Sequence, residues 1–232
     1  GWNPDEFDMF GVSLTPEPYV QAKEWLDVIV GTYNSDVPLD FDGRFYKLKG
    51  AVSRPTSLQT PRPVTMNAAF GPPGRDFAAL NCDHLFTSFT ELKDGPGHIA
   101  DIAARADAAG RKVGVFTVGH VVCRESQSEA EDYYDYYSRQ NIDEEAVQYH
   151  MQQKKNFSRS HDAQAYDTYK QRFAAGTGSF PLVGTPGRVA EGLASLAEVG
   201  FNGAALSFVN YRDELPLFCE KVIPALKNAG LR

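Results

Sequence analysis

Proton transfer needs an imidazole or carboxylate held beside the reacting atoms, and phosphate binding needs fixed cations or free backbone N–H groups at a helix start. The chain carries five histidines, His84, His98, His120, His150 and His161. None forms a HExxH pair or any other metal-ligand spacing, which argues against a metal enzyme. His120 follows an apolar run at 113–119 and is the histidine best placed for proton transfer or a substrate hydrogen bond, although a packed loop histidine is the commoner explanation of such a residue. The loop Phe70-Gly71-Pro72-Pro73-Gly74-Arg75 opens a helix, so its backbone N–H groups and the helix dipole could hold a phosphate. A rigid Pro-Gly turn accounts for the same residues and is favoured on turn signals alone.

Other reactive side chains point elsewhere. Ser126, Ser179 and Ser207 lack a Gly-x-Ser-x-Gly context, and Cys82 and Cys219 fall on helical stretches where burial is expected, so covalent nucleophilic catalysis has no support. Glu129, Glu131, Asp132 and Asp135 alternate with Tyr133, Tyr134, Tyr136 and Tyr137. That pattern reads as a solvated helix face over aromatic packing rather than as a cation site. Near the start, Trp2, Phe7 and Phe10 surround Glu6 in a short amphipathic turn, expected to be a packed helix start.

The elements that must position these residues follow one grammar: a short apolar run, then Gly, Pro or polar residues, then an amphipathic helix. Strands are predicted at 64–70, 84–87, 113–122 and 203–208, and helices at 18–33, 75–81, 99–109 and from Thr185-Pro186 to Gly200. Thr185 supplies an N-cap, Pro186 the first helical position and Gly200 the stop. Leu215, Phe218, Cys219, Val222 and Leu226 share one face of a last helix, as Ile99, Ile102, Ala103 and Ala106 do on an earlier one. Asp42-Gly43 favours a tight hairpin turn. Residues 123–182 form a polar, tyrosine-rich stretch without a convincing strand, read as a lid or an interface. Right-handed βα units imply a parallel sheet, either part of a barrel or an open doubly wound sheet; no Gly-x-Gly-x-x-Gly follows a strand, so the dinucleotide version of the second lacks support.

The 232 residues are enough for one domain, with 42% hydrophobic and 23% charged residues, as in ordinary soluble proteins. A net charge of -7 weighs against nucleic acid or an anionic membrane as the main partner and leaves a small molecule as the natural ligand. Three scattered cysteines and the absence of a targeting pattern suit a reducing cytoplasm. The opening Gly1-Trp2-Asn3, without methionine or a leading strand, suggests a cut chain.

The opening Gly-Trp-Asn-Pro-Asp-Glu-Phe-Asp-Met-Phe-Gly resembles the segment after the fourth barrel strand of luciferase-like flavin-dependent monooxygenases, relatives of which oxidise pyrimidines, alkanesulfonates and dimethylsulfide. Glu24-Trp25-Leu26-Asp27-Val28-Ile29, Phe41-Asp42-Gly43-Arg44-Phe45-Tyr46, Asn67-Ala68 with Pro72-Pro73-Gly74-Arg75, Leu182-Val183-Gly184-Thr185-Pro186 and Leu206-Ser207-Phe208 are similar to further blocks of that family, in order. The resemblance implies an incomplete (β/α)8 TIM barrel comprising strands five to eight with insertions. It further implies FMN, reduced by a separate flavin reductase, acting with O2 on a small-molecule substrate in a homo-oligomeric enzyme. By position Glu6 matches a flavin-contacting glutamate, Tyr19 the tyrosine of an Arg-Tyr pair near the phosphate, and Gly71 a phosphate-contacting serine; Asn67, Gly74 and Arg75 belong to the same loop. Two residues depart from the pattern: Pro18 stands where the pair has arginine, and Gly71 replaces the serine. Proline cannot give the charge-assisted contact of arginine, whereas glycine still offers its N–H. Three competing readings are a non-catalytic flavin-binding relative, a deazaflavin-dependent oxidoreductase and a half-barrel that serves only as an assembly partner.

Overall fold

The computed structural model describes residues 3–33, 35–157 and 166–232. Trp2 and His161 lie outside them. Ten residues, Gly114–Cys123, form the longest strand, β5, and the parallel sheet is organised around it. The other parallel strands are β3 (Met66–Ala68), β4 (His84–Phe86), β6 (Phe180–Gly184) and β7 (Gly203–Ser207). Phe116 pairs with Phe86 of β4 and with Gly203 of β7, while Gly119 and His120 pair with both β6 and β7. Since a strand has two edges, β7 must run along one edge of β5, and β4 and β6 must follow one another along the other. A separate antiparallel hairpin joins β1 (Leu39–Asp42) and β2 (Lys47–Ala51).

The four predicted strands are all present, and β6 is a fifth, inside the stretch read as strandless. Pro181 hides it, because proline cannot donate to a ladder and is tolerated only where one edge is unpaired. β6 ends the sheet, so Pro181 can sit opposite His120 on the one paired edge.

Paired residues of parallel strands share a face, which sorts the sheet into two. One face carries Leu85, Val115, Val121, Cys123 and Leu182, all within 3% of full burial. Against it pack α3 (Pro72–Asn81), α4 (Gly95–Ala108), α8 (Pro186–Val199) and the last helical run. Burying each large apolar side chain here is worth about 1.5–3 kcal/mol. The other face carries Met66, Phe86, Phe116, Val118 and Ala205, of which Met66 and Ala205 are exposed; it is covered at the His120 end.

Caps fix the helices much as the sequence implies. Thr185 accepts the Arg188 amide at the start of α8, and Gly200 ends it at φ 112°. The helix α2 (Pro18–Tyr33) sends Glu24 to the hairpin turn, where its carboxylate accepts the amides of Arg44, Phe45 and Tyr46 at 2.9, 2.8 and 3.2 Å. That contact leaves no room for a side chain at Gly43.

Three packing expectations fail. The last helical run passes from α9 (Tyr211–Leu217) through a π turn at Phe218–Val222 into α10 (Ile223–Asn228), with Pro216 inside α9. The wider turn breaks the 3.6-residue period, so Phe218 and Val222 are buried while Cys219 and Leu215 are exposed and Glu214 turns inward. Ala103 of α4 is likewise exposed. In α1 (Pro4–Met9) the amphipathic turn does not bury its aromatic end, since Phe10 is 75% exposed.

Between β5 and β6 the described residues include α5 (Gln127–Asp135), which runs into a π turn at Tyr136–Gln140, then α6 (Glu144–Phe157) and α7 (Tyr166–Gly176). Ala130, Val147 and Met151 are buried within this layer. After α7, Thr177 takes a left-handed φ of 56° and the Gly178 amide returns to the Arg172 carbonyl at 3.0 Å. A β-branched residue pays about 1–2 kcal/mol there, and glycine pays about 0.5–1 kcal/mol in chain entropy. Thr177→Gly is therefore expected to raise stability by about 0.5–1 kcal/mol, read as a higher urea midpoint with an unchanged slope.

Candidate functional site

Two groups of side chains meet at the C-terminal ends of the parallel strands, where α/β sheets present their chemistry. The first surrounds the loop between β3 and α3. Asn67 donates through Nδ2 to the Gly74 carbonyl at 3.1 Å, and the Tyr19 hydroxyl of α2 lies so close to Gly74 that no side chain fits at that position. Gly71 is the N-cap of α3, and the space where its Cβ would stand is open. Tyr19, Asn67, Gly71 and Gly74 are therefore brought together. Pro72 and Pro73 have no N–H, so the amides left in this turn ahead of Arg75 are those of Gly71, half-buried, and Gly74, buried.

Arg75 has a different place from the one its sequence position suggests. It is 5% exposed, and its guanidinium donates to the Phe70 carbonyl at 2.8 Å, to Asp101 at 2.9 Å and toward His98 Nδ1 at 2.5 Å. The cation is thus engaged between α3 and α4 and holds the Phe70 end of the loop. Burial, and then the Arg75 charge, push the His98 pKa below the usual imidazole value. A neutral His98 is the form that can accept from Arg75.

The second group centres on His120. Because β5 continues to Cys123, His120 stands within the strand rather than in the loop after it, and it is 4% exposed. Its Nδ1 lies 2.9 Å from Ser207 Oγ at the end of β7, and its Nε2 lies 2.7 Å from the Tyr137 hydroxyl on the π turn. Burial lowers the His120 pKa, opposed by the Glu214 charge, and burial raises that of Tyr137. Gly176 at the end of α7 closes over the ring, where an added Cβ would come within 2.7 Å of it.

Beneath this group, Arg124 donates to buried Glu214 at 2.7 Å, and its guanidinium sits 4.2 Å from the Tyr133 ring centre. The pair ties the end of β5 to α9 and α5. Sequence reasoning missed Tyr137, Glu214 and Arg124. Tyr137 is one of four similar tyrosines, and only the π turn singles it out; Glu214 belongs to no motif. The acidic cluster is solvated as expected, with Glu131 and Asp132 exposed beside an open cavity of about 500 Å³ and Tyr133 and Tyr134 packed against Tyr137, whereas Tyr136 is exposed rather than packed beneath it. Glu6 is exposed on α1, whose neighbouring Asp5 accepts hydrogen bonds from Tyr149 and Gln153 of α6.

A profile of luciferase-like monooxygenases matches residues 1–203. The chain belongs to the luciferase-like monooxygenase family. Among the family's curated members it is 25% identical over 234 residues to the FMNH2-dependent dimethylsulfone monooxygenase of Pseudomonas putida, covering 98% of this chain and 64% of that protein. It is 24% identical to the sulfoquinovose monooxygenase of Agrobacterium fabrum, covering 92% of this chain and 59% of that one. In fold it is similar to riboflavin lyase with modified FMN and riboflavin, at a TM-score of 0.79 and 20% identity over 97% of this chain and 61% of the other. This luciferase-like chain spans less than two thirds of the length of such relatives. Among its described residues no helix is long and apolar enough to cross a membrane.

Proposed function

We propose that the protein is a flavin-dependent monooxygenase that uses reduced FMN and O2 to oxygenate a small organic substrate, with β3, β4, β5 and β7 as strands five to eight of a (β/α)8 barrel. The observation that carries the reading is the convergence of Tyr19, Asn67, Gly71 and Gly74 at the end of β3 in a chain of this family. The open space at Gly71 and the close approach of Tyr19 suit a phosphate group, which would be held by the Gly71 and Gly74 amides with the Tyr19 hydroxyl beside them. Reduced FMN, when bound, supplies the electrons that activate O2.

The chain's own residues bind, orient and shield. Arg75 positions the phosphate loop through Phe70, and Glu6 on α1 is the candidate contact to the flavin ring. His120 acts from behind the reacting surface, since both its nitrogens are engaged, and α5 to α7, within residues 123–182, are the lid that excludes water. A flavin reductase is the partner that delivers the cofactor, the protein is a homo-oligomer, and the free thiols of Cys82, Cys123 and Cys219 suit a reducing cytoplasm.

The test is a titration of the protein with FMN, riboflavin and a deazaflavin, followed by oxygen uptake with a reductase present. FMN should bind more tightly than riboflavin, and uptake should rise with substrate. Binding of the deazaflavin in preference to FMN would replace this reading with a deazaflavin oxidoreductase. Flavin binding without substrate-dependent uptake would make the protein a non-catalytic flavin binder.

A further inference from the structure

His120 stands between two hydroxyls, and the direction of its two hydrogen bonds decides what the site can offer a ligand. A neutral imidazole has one donor nitrogen and one acceptor nitrogen, so either Tyr137 donates and Ser207 accepts, or the reverse. The distances differ in the sense expected for the first arrangement. At Nε2 the separation is 2.7 Å, short for an N–H donor and ordinary for a hydroxyl donor. At Nδ1 it is 2.9 Å, the common value for N–H donating to oxygen. Acidity points the same way, because a phenol, with a pKa of about 10, is a stronger donor and a poorer acceptor than an aliphatic hydroxyl.

The surroundings keep this arrangement in place. The Tyr137 ring meets the imidazole edge-on at 5.9 Å and is itself packed by Tyr133 and Tyr134. Gly176 covers the imidazole so closely that a side chain there would displace it. Ser207, by contrast, is half-buried at the end of β7, on the same face as exposed Ala205. His120 lies on that face too, since it pairs with Ser207 in the sheet.

We propose that Tyr137 donates to Nε2 and fixes His120 as the Nδ1–H tautomer, which donates to Ser207 Oγ and leaves the Ser207 proton available to an acceptor oxygen on the face of the sheet that carries Ala205. Ser207 is then a directed hydroxyl donor, and Tyr137 and His120 are the residues that position it. The ligand group that takes its proton is a carbonyl, sulfonyl or carboxylate oxygen. The part played in oxygenation rests on the flavin reading, whereas the tautomer rests on this geometry alone.

The experiment is nitrogen-15 NMR of the histidine-labelled protein at neutral pH, with the His120 signals assigned by their loss in His120→Gln. The expected spectrum has Nδ1 protonated and Nε2 of the unprotonated type. In Tyr137→Phe the donor that keeps Nε2 unprotonated is gone, while either tautomer can still bond Ser207, so the Nε2–H form should gain population and the two signals should move toward each other. Ser207→Ala keeps the Tyr137 donor and should retain the Nδ1–H form, which provides a check if Tyr137→Phe does not fold. An Nε2–H form in the unaltered protein or in Ser207→Ala, or signals unmoved in folded Tyr137→Phe, overturns the proposal. Failure of FMN to bind would sink the flavin reading and leave these signals as expected.

Discussion

Replacing Arg75 by leucine is expected to lower the unfolding free energy by about 3 kcal/mol, the lower end of the range for removing one partner of a buried ion pair. The figure lies at that end because Asp101 is not abandoned: Arg105 still donates to it at 2.9 Å, and its side chain is 35% exposed. What the variant leaves behind is the Phe70 carbonyl without its 2.8 Å donor and His98 without the cation it accepts from. Urea unfolding measures the loss. A change below about 0.5 kcal/mol, as for a plain surface site, would mean that the Arg75 contacts are not made in solution.

The same variant carries a pH signature. His98 has a depressed folded pKa, through burial first and the Arg75 charge second, so folding favours its neutral form. The stability this contributes is complete above the unfolded imidazole value of about 6.5 and is lost as pH falls through the folded value. Arg75→Leu removes the second cause, so stability should fall less steeply between about pH 7 and about pH 5 than in the unaltered protein. An equally steep fall would assign the slope to other groups.

How far the sequence could be read depended on whether a signal was local. The cap at Thr185, the stop at Gly200 and the bounds of α2 are written in residue types that act on their own neighbours, and they appear where the pattern places them. The fold class follows from the repeated βα grammar for the same reason. β6 was not legible because Pro181 and Gly184 argue against a strand unless one edge is known to be unpaired, which is a property of the sheet. The π turns at 136–140 and 218–222 were hidden because a one-residue slip in period leaves no mark on composition; they decide that Tyr137 meets His120 and that Cys219 faces outward.

The candidate site was legible in part for a related reason. Tyr19, Asn67, Gly71 and Gly74 were marked by order along the chain, and the fold brings them together. Arg75 was marked by the same order, but an arginine at the start of a helix can turn outward to an anion or inward to an acid. Only the position of α4, with Asp101 and His98, decides between them.

Pro18→Arg should tighten FMN binding by about 1.5–3 kcal/mol, the range for a hydrogen bond to a charged group, and should leave riboflavin almost unchanged. Pro18 is the first residue of α2 and precedes Tyr19, whose hydroxyl abuts Gly74, so a long side chain there starts beside the loop. The loop also has reason to need it. Pro72 and Pro73 remove two amides, and Arg75 is committed to Phe70, Asp101 and His98, so the charge of a phosphate is opposed by few donors. An arginine would add a charge-assisted, fork-shaped contact that none of these residues supplies. Gly71→Ser provides an independent variant, since the space at its Cβ is open and a hydroxyl there adds a neutral donor, with an expected gain of about 0.5–1.5 kcal/mol. A general tightening of the fold would improve both ligands, whereas a restored phosphate contact improves FMN alone. Calorimetric titration of FMN and riboflavin against the three proteins separates these outcomes: equal gains for the two ligands, or no gain for FMN in either variant, would show that the phosphate is held somewhere other than between α2 and the Gly71 turn.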